Sequence, residues 1–229
     1  MTDQELLHAL TPFVTDHKRA LIDRLAPLRT RFITAVVENS LGPHNASAVV
    51  RTCDLVGVQH LHVIEDQGTF RMNDAITLGA GKWVDLHRFG GEQAREHCLQ
   101  HLRAQGYRIV ATSPRADGYT PTTIPIDQPL AFCFGTEQHG LSNDLIASAD
   151  MHLRIPMYGW TESYNLSVSV AIVLHTVMER VRAAGDHWRM DDDDVLRIKV
   201  GWLRAIIQHA DQVEERLRAD HAARHGEGS

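Results

Sequence analysis

Three things are in short supply in this chain of 229 residues: cysteine, long apolar runs and surplus positive charge. Cys53, Cys98 and Cys133 lie far apart among apolar neighbours. An odd, scattered set excludes a disulfide framework and points to a reducing, cytoplasmic setting. No apolar run approaches the ~20 residues that a membrane span needs, so no membrane partner is expected. The opening residues, MTDQELLHALTPF, carry acids early and lack a basic stretch followed by an apolar one, so no secretory signal is expected either. A formal net charge of −6 excludes a uniformly basic, phosphate-gripping surface and leaves only local clusters of cations for that task.

The common cofactor and nucleophile motifs are also missing. A dinucleotide fold needs G-x-G-x-x-G after its first strand. Here that turn reads ENSLGPHNAS, one glycine and then a proline. GAGK at 79–82 lacks the upstream glycine spacing of a phosphate loop and the Ser or Thr that follows it. There is no G-x-S-x-G elbow for a serine hydrolase and no C-x-x-C for a structural zinc. Among fifteen histidines, His97 and His101 stand one helical turn apart with Cys98 between them. Two ligands fall short of the four that zinc wants; a solvated helix face accounts for them, and no metal is expected.

What is present reads as an α/β protein. A hydrophobic share of 43% against 23% charged residues suits one globular core. Leu6, Leu7, Leu10, Phe13, Val14, Leu21 and Leu25 recur at helical spacing over 3–25, with Pro12 as an early break. RFITAVVE (31–38), HLHVIE (60–65), GKWVDLHRF (81–89), YRIVATS (107–113), LAFCFG (130–135) and MHLRIP (151–156) read as strands. Between them the pattern predicts helices over 46–55, capped by Asn45 and stopped by Gly57, over 91–105, and over 143–149, capped by Ser142. Asn165 caps a long apolar helix to about Ala184, and a last helix runs from the Asp191–Asp194 cluster to about Arg218. Strands alternating with helices predict a parallel sheet covered on both faces. The expected organisation is a helical extension over 1–30, the α/β domain over 31–185 and a second helical extension over 186–229.

Loops beyond the carboxyl ends of parallel strands gather at one edge, where ligands bind. Three such loops carry chemistry: NSLGPHNASAVVRT (39–52), FGTEQHGLS (134–142) and IPMYGWTESYNLS (155–167). They offer Asn45, Arg51, Glu137, Ser163 and Asn165, with Gly135, Gly140 and Gly159 allowing close backbone approach. Taken singly, Asn45 and Asn165 are helix caps and Arg51 reaches solvent. Together, one arginine, one glutamate and two asparagines suit the binding of a polar, anionic substrate rather than a carboxylate acid–base pair.

PHNASAVVRTCDLVGV, FGTEQHGLS and IPMYGWTESYNLSVSVA, in this order and spacing over 31–180, resemble the three signature motifs of the TrmH branch of the SPOUT methyltransferases. GKWVDL also resembles a segment of the branch members that act on tRNA. The resemblance implies a parallel-sheet fold with a C-terminal deep trefoil knot, a rare exception to ordinary chain connection. It further implies a homodimer and S-adenosyl-L-methionine-dependent methylation of a ribose 2′-hydroxyl in tRNA, at a D-loop guanosine. Ribosomal RNA, another tRNA position, and a non-catalytic RNA-binding role stay open as alternatives. By motif, Arg51 is catalytic, Asn45 and Ser163 position it or the ribose, and Glu137 and Asn165 hold the site together. Thr112, Phe134, Gly135, Ile155 and Tyr164 are the implied cofactor contacts. Tyr164 departs from the leucine that the family carries there. About 30 residues precede the first strand, too few for a separate RNA-binding domain. The basic cluster Lys18, Arg19, Arg24, Arg29 and Arg31 is therefore the expected RNA contact, with Arg180, Arg182 and Arg189 a second cluster. No DNA partner is expected.

Overall fold

The computed structural model describes residues 1–39, 42–66, 69–115 and 117–226. Its contacts divide the chain into two compact units, one of Thr30–Trp188 and one of Met1–Arg29 with Arg189–Ser229. In chain order the elements begin with α1 (Asp3–Leu10), α2 (Asp16–Leu25), β1 (Ile33–Glu38), α3 (Pro43–Val56), β2 (His60–Glu65), α4 (Asp74–Thr77) and β3 (Asp85–Gly90). They continue with α5 (Ala94–Ala104), β4 (Arg108–Thr112), β5 (Leu130–Phe134), α6 (Asn143–Ser148), β6 (Met151–Leu153), α7 (Leu166–Ala183), α8 (Asp192–Ile206) and α9 (Ala210–Gly226).

The Thr30–Trp188 unit is built on a six-stranded sheet in the order β3-β2-β1-β5-β4-β6, with every neighbouring pair parallel. β1 and β5 are buried at every position, as parallel strands covered on both faces must be. One face packs Val37, Phe132 and Phe134 against Val49 of α3 and Val173 and Val177 of α7. The other packs Val36, Ile64 and Cys133 beneath Cys98, Leu99 and Leu102 of α5 and Leu145 of α6. Each such aliphatic or aromatic side chain contributes about 1.5–3 kcal/mol when fully buried. All three cysteines are buried and free. Burial, with Glu38 nearby, pushes the Cys98 thiol up to about 12, so it behaves as a small apolar group.

The helical unit packs α1 on α8. Arg29 is only 3% exposed, and its guanidinium sits over the Trp202 ring at 5.6 Å. Lys199 Nζ pairs with Asp23 at 2.6 Å. Pro12 ends the expected 3–25 helix in a short 3₁₀ turn, and Thr15 caps a fresh start by accepting from Lys18 N–H. The expected 191–218 helix is likewise two helices, because His209 takes a left-handed conformation (φ 54°) between α8 and α9. Among the described residues no helix is long and apolar enough to cross a membrane.

Candidate functional site

The loops after β1, β4, β5 and β6 meet at the carboxyl edge of the sheet; residues 40 and 41 of the first loop lie outside the described residues. A cleft of about 540 Å³ opens there, a size ordinary for a small-molecule site. Thr112, Phe134, Gly135, Ile155 and Tyr164, the expected cofactor contacts, all line it. Glu137 and Ser163 line it as well. Thr112 Oγ1 donates to the Cys133 carbonyl at 2.7 Å and ties β4 to β5 at the cleft floor.

A single carboxylate joins three of the loops. Glu137 Oε1 accepts from Asn45 Nδ2 at 2.8 Å, from Asn165 Nδ2, and from the Leu166 N–H at 3.2 Å. Asn165 Nδ2 also donates to Asn45 Oδ1 at 3.0 Å. Bonds to an ionised acceptor are roughly twice as strong as neutral ones. Asn45 therefore does not cap α3, contrary to the sequence expectation. Pro43 fits the first helical position and Gly42 is the cap, which moves Asn45 inside the first turn and frees its amide for Glu137. Asn165 does cap α7, its Oδ1 accepting from the Ser167 N–H at 3.0 Å. Gly57 stops α3 in the left-handed region (φ 84°), as expected.

Loop 135–142 turns back on itself with no clearance. A Cβ on Gly135 would lie 1.9 Å from the Gly140 carbonyl carbon and 2.2 Å from the Leu141 nitrogen, so only glycine fits. The end of the loop is fixed by a residue that sequence reasoning missed. Buried Glu38, the last residue of β1, accepts from both the N–H and the hydroxyl of Ser142 at 2.7 Å. Arg95 Nε donates to the same carboxylate at 2.7 Å and its Nη2 to Asp66 at 2.9 Å. Partners 57 and 104 residues apart leave no local signal in the sequence. Arg115 and Glu162, also unforeseen, pair at 3.2 Å on the cleft's exposed rim.

Some expected residues stand elsewhere. Arg51 is exposed on α3, makes no hydrogen bond or ion pair among the described residues, and does not line the cleft. Arg29 is withdrawn from any RNA surface by burial against Trp202. Arg31 is half-buried, and Lys18, Arg19 and Arg24 are exposed on or along α2. Arg180 is committed to the Pro121 and Ile124 carbonyls, each at 2.8 Å. Arg182 donates to the Val56 carbonyl at 3.0 Å and lies over Trp188 at 5.4 Å.

These loops hold a mid-sized cleft, part apolar and part polar, with a hydroxyl (Ser163) and a tyrosine (Tyr164) at its mouth. That arrangement suits binding and alignment more than acid–base chemistry. Known proteins sharpen the reading. A tRNA (guanosine(18)-2′-O)-methyltransferase of Borreliella burgdorferi is 32% identical over 210 residues, covering 92% of this chain and 95% of its own. The protein of that name from Thermus thermophilus is 31% identical over 198 residues, 83% of this chain and 97% of its own. Among solved structures, the A. aeolicus TrmH/SpoU tRNA modifying enzyme aligns with a TM-score of 0.74 at 27% identity, covering 84% of this chain and 98% of that one. The family model described as the SpoU rRNA Methylase family matches residues 33–175, from the first residue of β1 into α7 and so across all the loops of the cleft. The chain belongs to the SpoU rRNA methylase family.

Proposed function

We propose that the protein transfers the methyl group of S-adenosylmethionine to the ribose 2′-hydroxyl of guanosine 18 in tRNA. The observation that carries this reading is the Asn45–Glu137–Asn165 clamp, which draws three loops around one cleft in a chain with near-full-length relatives of that activity. The cleft suits the cofactor. Phe134 and Ile155 offer apolar walls, and the open space where Gly140 lacks a Cβ allows close approach of a nucleoside. Bound there, the sulfonium supplies an electrophilic methyl group. The chain's own residues then align the ribose: Ser163 Oγ, exposed in the cleft, holds a sugar hydroxyl, and the clamp keeps the loops from spreading.

Arg51 has a separate task. A guanidinium that keeps its proton is a poor base; it stabilises a phosphate and the alkoxide developing at the 2′-oxygen, while the hydroxyl proton passes to solvent and S-adenosylhomocysteine leaves. Since Arg51 lies outside the lining of its own chain's cleft, a second copy completes the site, in a homodimer. Leu55, one turn further along α3, is 75% exposed, and Val168 on α7, which packs on α3, is 42% exposed. Such apolar groups are what a second copy covers. Tyr158 and Trp160 project fully from the third loop and add to that surface. A trefoil knot belongs to the same reading. Tyr119 pairs with both His152 and Arg154, while Arg180 of α7 grips the carbonyls of 121 and 124, so segment 119–124 lies between the β6 exit and α7.

The test is methyl transfer from labelled S-adenosylmethionine to a tRNA transcript, with the modified nucleotide mapped by mass. We expect a methyl group on ribose 18 and none on a transcript carrying adenosine there. Transfer to ribosomal RNA alone, or none, overturns the proposal. Arg51→Ala and Ser163→Ala, each inactive alone, are expected to recover activity when mixed and reassembled; failure to do so removes the shared site. Arg51→Lys keeps the charge and loses the planar fork; near-full turnover in that variant removes the geometric role.

A further inference from the structure

On the sheet face beneath α5, at the end opposite the cleft, lies a group of imidazoles for which methyl transfer has no use. His60 and His62 point to one side of β2 from its first half, and His87 is the direct cross-strand partner of His62 on edge strand β3. One ligand atom from each of the three lies within 4.8 Å of the others. His62 and His87 stack with centroids 4.8 Å apart, His60 meets His87 edge-on at 4.7 Å, and His101 of α5 stands 5.7 Å from His62.

The hydrogen bonds fix what His62 presents. Thr34 Oγ1 gives its one proton to the His60 carbonyl at 2.7 Å. The same oxygen lies 3.1 Å from His62 Nδ1, so it accepts there, and Nδ1 carries the ring proton. Nε2 of His62 is then a bare lone pair. The side chain is fully buried, and Nε2 has no hydrogen-bond partner. A buried acceptor left unsatisfied is unfavourable, and the ring that carries it stacks on His87 and meets His60 edge-on. An N–H held by an outer partner while the other nitrogen is aimed inward is how proteins orient a metal-ligating histidine.

We propose that His60, His62 and His87 bind a first-row divalent transition metal, zinc foremost. Three imidazoles suit zinc, with Zn–N distances of ≈ 2.0–2.1 Å. At that length the nitrogens of a tetrahedral site stand about 3.4 Å apart, so the cluster contracts on loading. His87, half-buried on the edge strand, is the least buried of the three rings. A water takes the fourth position, with the Asp85 carboxylate, 3.6 Å from His60 Nε2, alongside as hydrogen-bond partner. The role is structural: the ion pins edge strand β3 to β2. Spacing motifs missed the set because its ligands come from neighbouring strands, whereas the pair legible in sequence, His97 and His101, shares a helix.

The test is calorimetric titration of zinc chloride into untagged, chelator-stripped full-length protein, with cobalt(II) absorption as a second readout. We expect one equivalent per chain, visible cobalt bands of four-coordinate intensity, and a zinc-dependent rise in Tm. Thr34→Val leaves all three rings in place and weakens zinc about 10–100-fold. His87→Gln removes a ligand at the edge strand and abolishes the cobalt bands with an unchanged circular dichroism spectrum. His97→Gln, on the exposed face of α5, binds as the parent does. Absence of a one-equivalent site, or binding that survives His87→Gln, overturns the proposal.

Discussion

At the scale of single residues, the site rests on Glu137 and Gly135. Removing the Glu137 carboxylate takes the acceptor from three donors, two of them in exposed bonds, so Glu137→Ala is expected to cost about 0.5–1.5 kcal/mol of stability and to weaken S-adenosylmethionine. Thermal melts and calorimetry with the cofactor measure the two effects separately. Gly135→Ala forces backbone atoms apart; overpacking of this kind costs about 1–3 kcal/mol. We expect it to abolish cofactor binding, seen in the same titration, while the circular dichroism spectrum survives. Asn45, Glu137 and Asn165 were legible in the sequence as a group at strand ends, yet the bond that unites them was not. Asn45 passes for a cap until Pro43 is seen to start the helix. Glu38 and Arg95 were illegible, because a buried carboxylate at a strand end looks in sequence like any acid closing a strand.

At the scale of elements, legibility follows burial. β1 and β5 are buried at every position because both their faces are covered, and they were read nearly to the residue. β3 lies at the sheet edge with a mixed exposure pattern, and the reading over 81–89 took in a 3₁₀ turn at Ala80–Lys82. The α8–α9 break escaped because neither proline nor glycine marks it. Glu214 staples that hairpin by accepting from Arg204 Nε at 2.7 Å and from Arg218 Nη2 at 2.7 Å. The hydrogen bond from Arg204 is the chief reason its pKa falls from 4.5 to about 2. A depressed carboxylate stabilises the fold above its unfolded pKa and loses that contribution as pH falls through the folded one. Glu214→Gln is therefore expected to melt below the parent at neutral pH, with the difference shrinking from pH 4.5 towards 2 in melts across that range. On α2, reversing exposed Lys18 and Arg24 to Glu is expected to weaken tRNA binding and to flatten its salt dependence in filter-binding titrations.

At the scale of the whole molecule, the proposed second copy is the decisive question. Leu55→Glu with Val168→Glu places charge on the exposed faces of α3 and α7. Sedimentation is expected to show a monomer that binds the cofactor and no longer methylates tRNA. A double variant that stays dimeric moves the interface elsewhere.

The strand order carries a further consequence for how the protein is made. β1 lies at the centre of the sheet, but its second neighbour, β5, is encoded after β2, β3 and β4. While the ribosome covers the interval from the end of β2 to the end of β5, roughly 3–14 s at ordinary rates of synthesis, β1 has one edge without a mate. Exposed apolar edges recruit other chains, so that interval is when the growing chain is most open to mispairing and has most use for a chaperone.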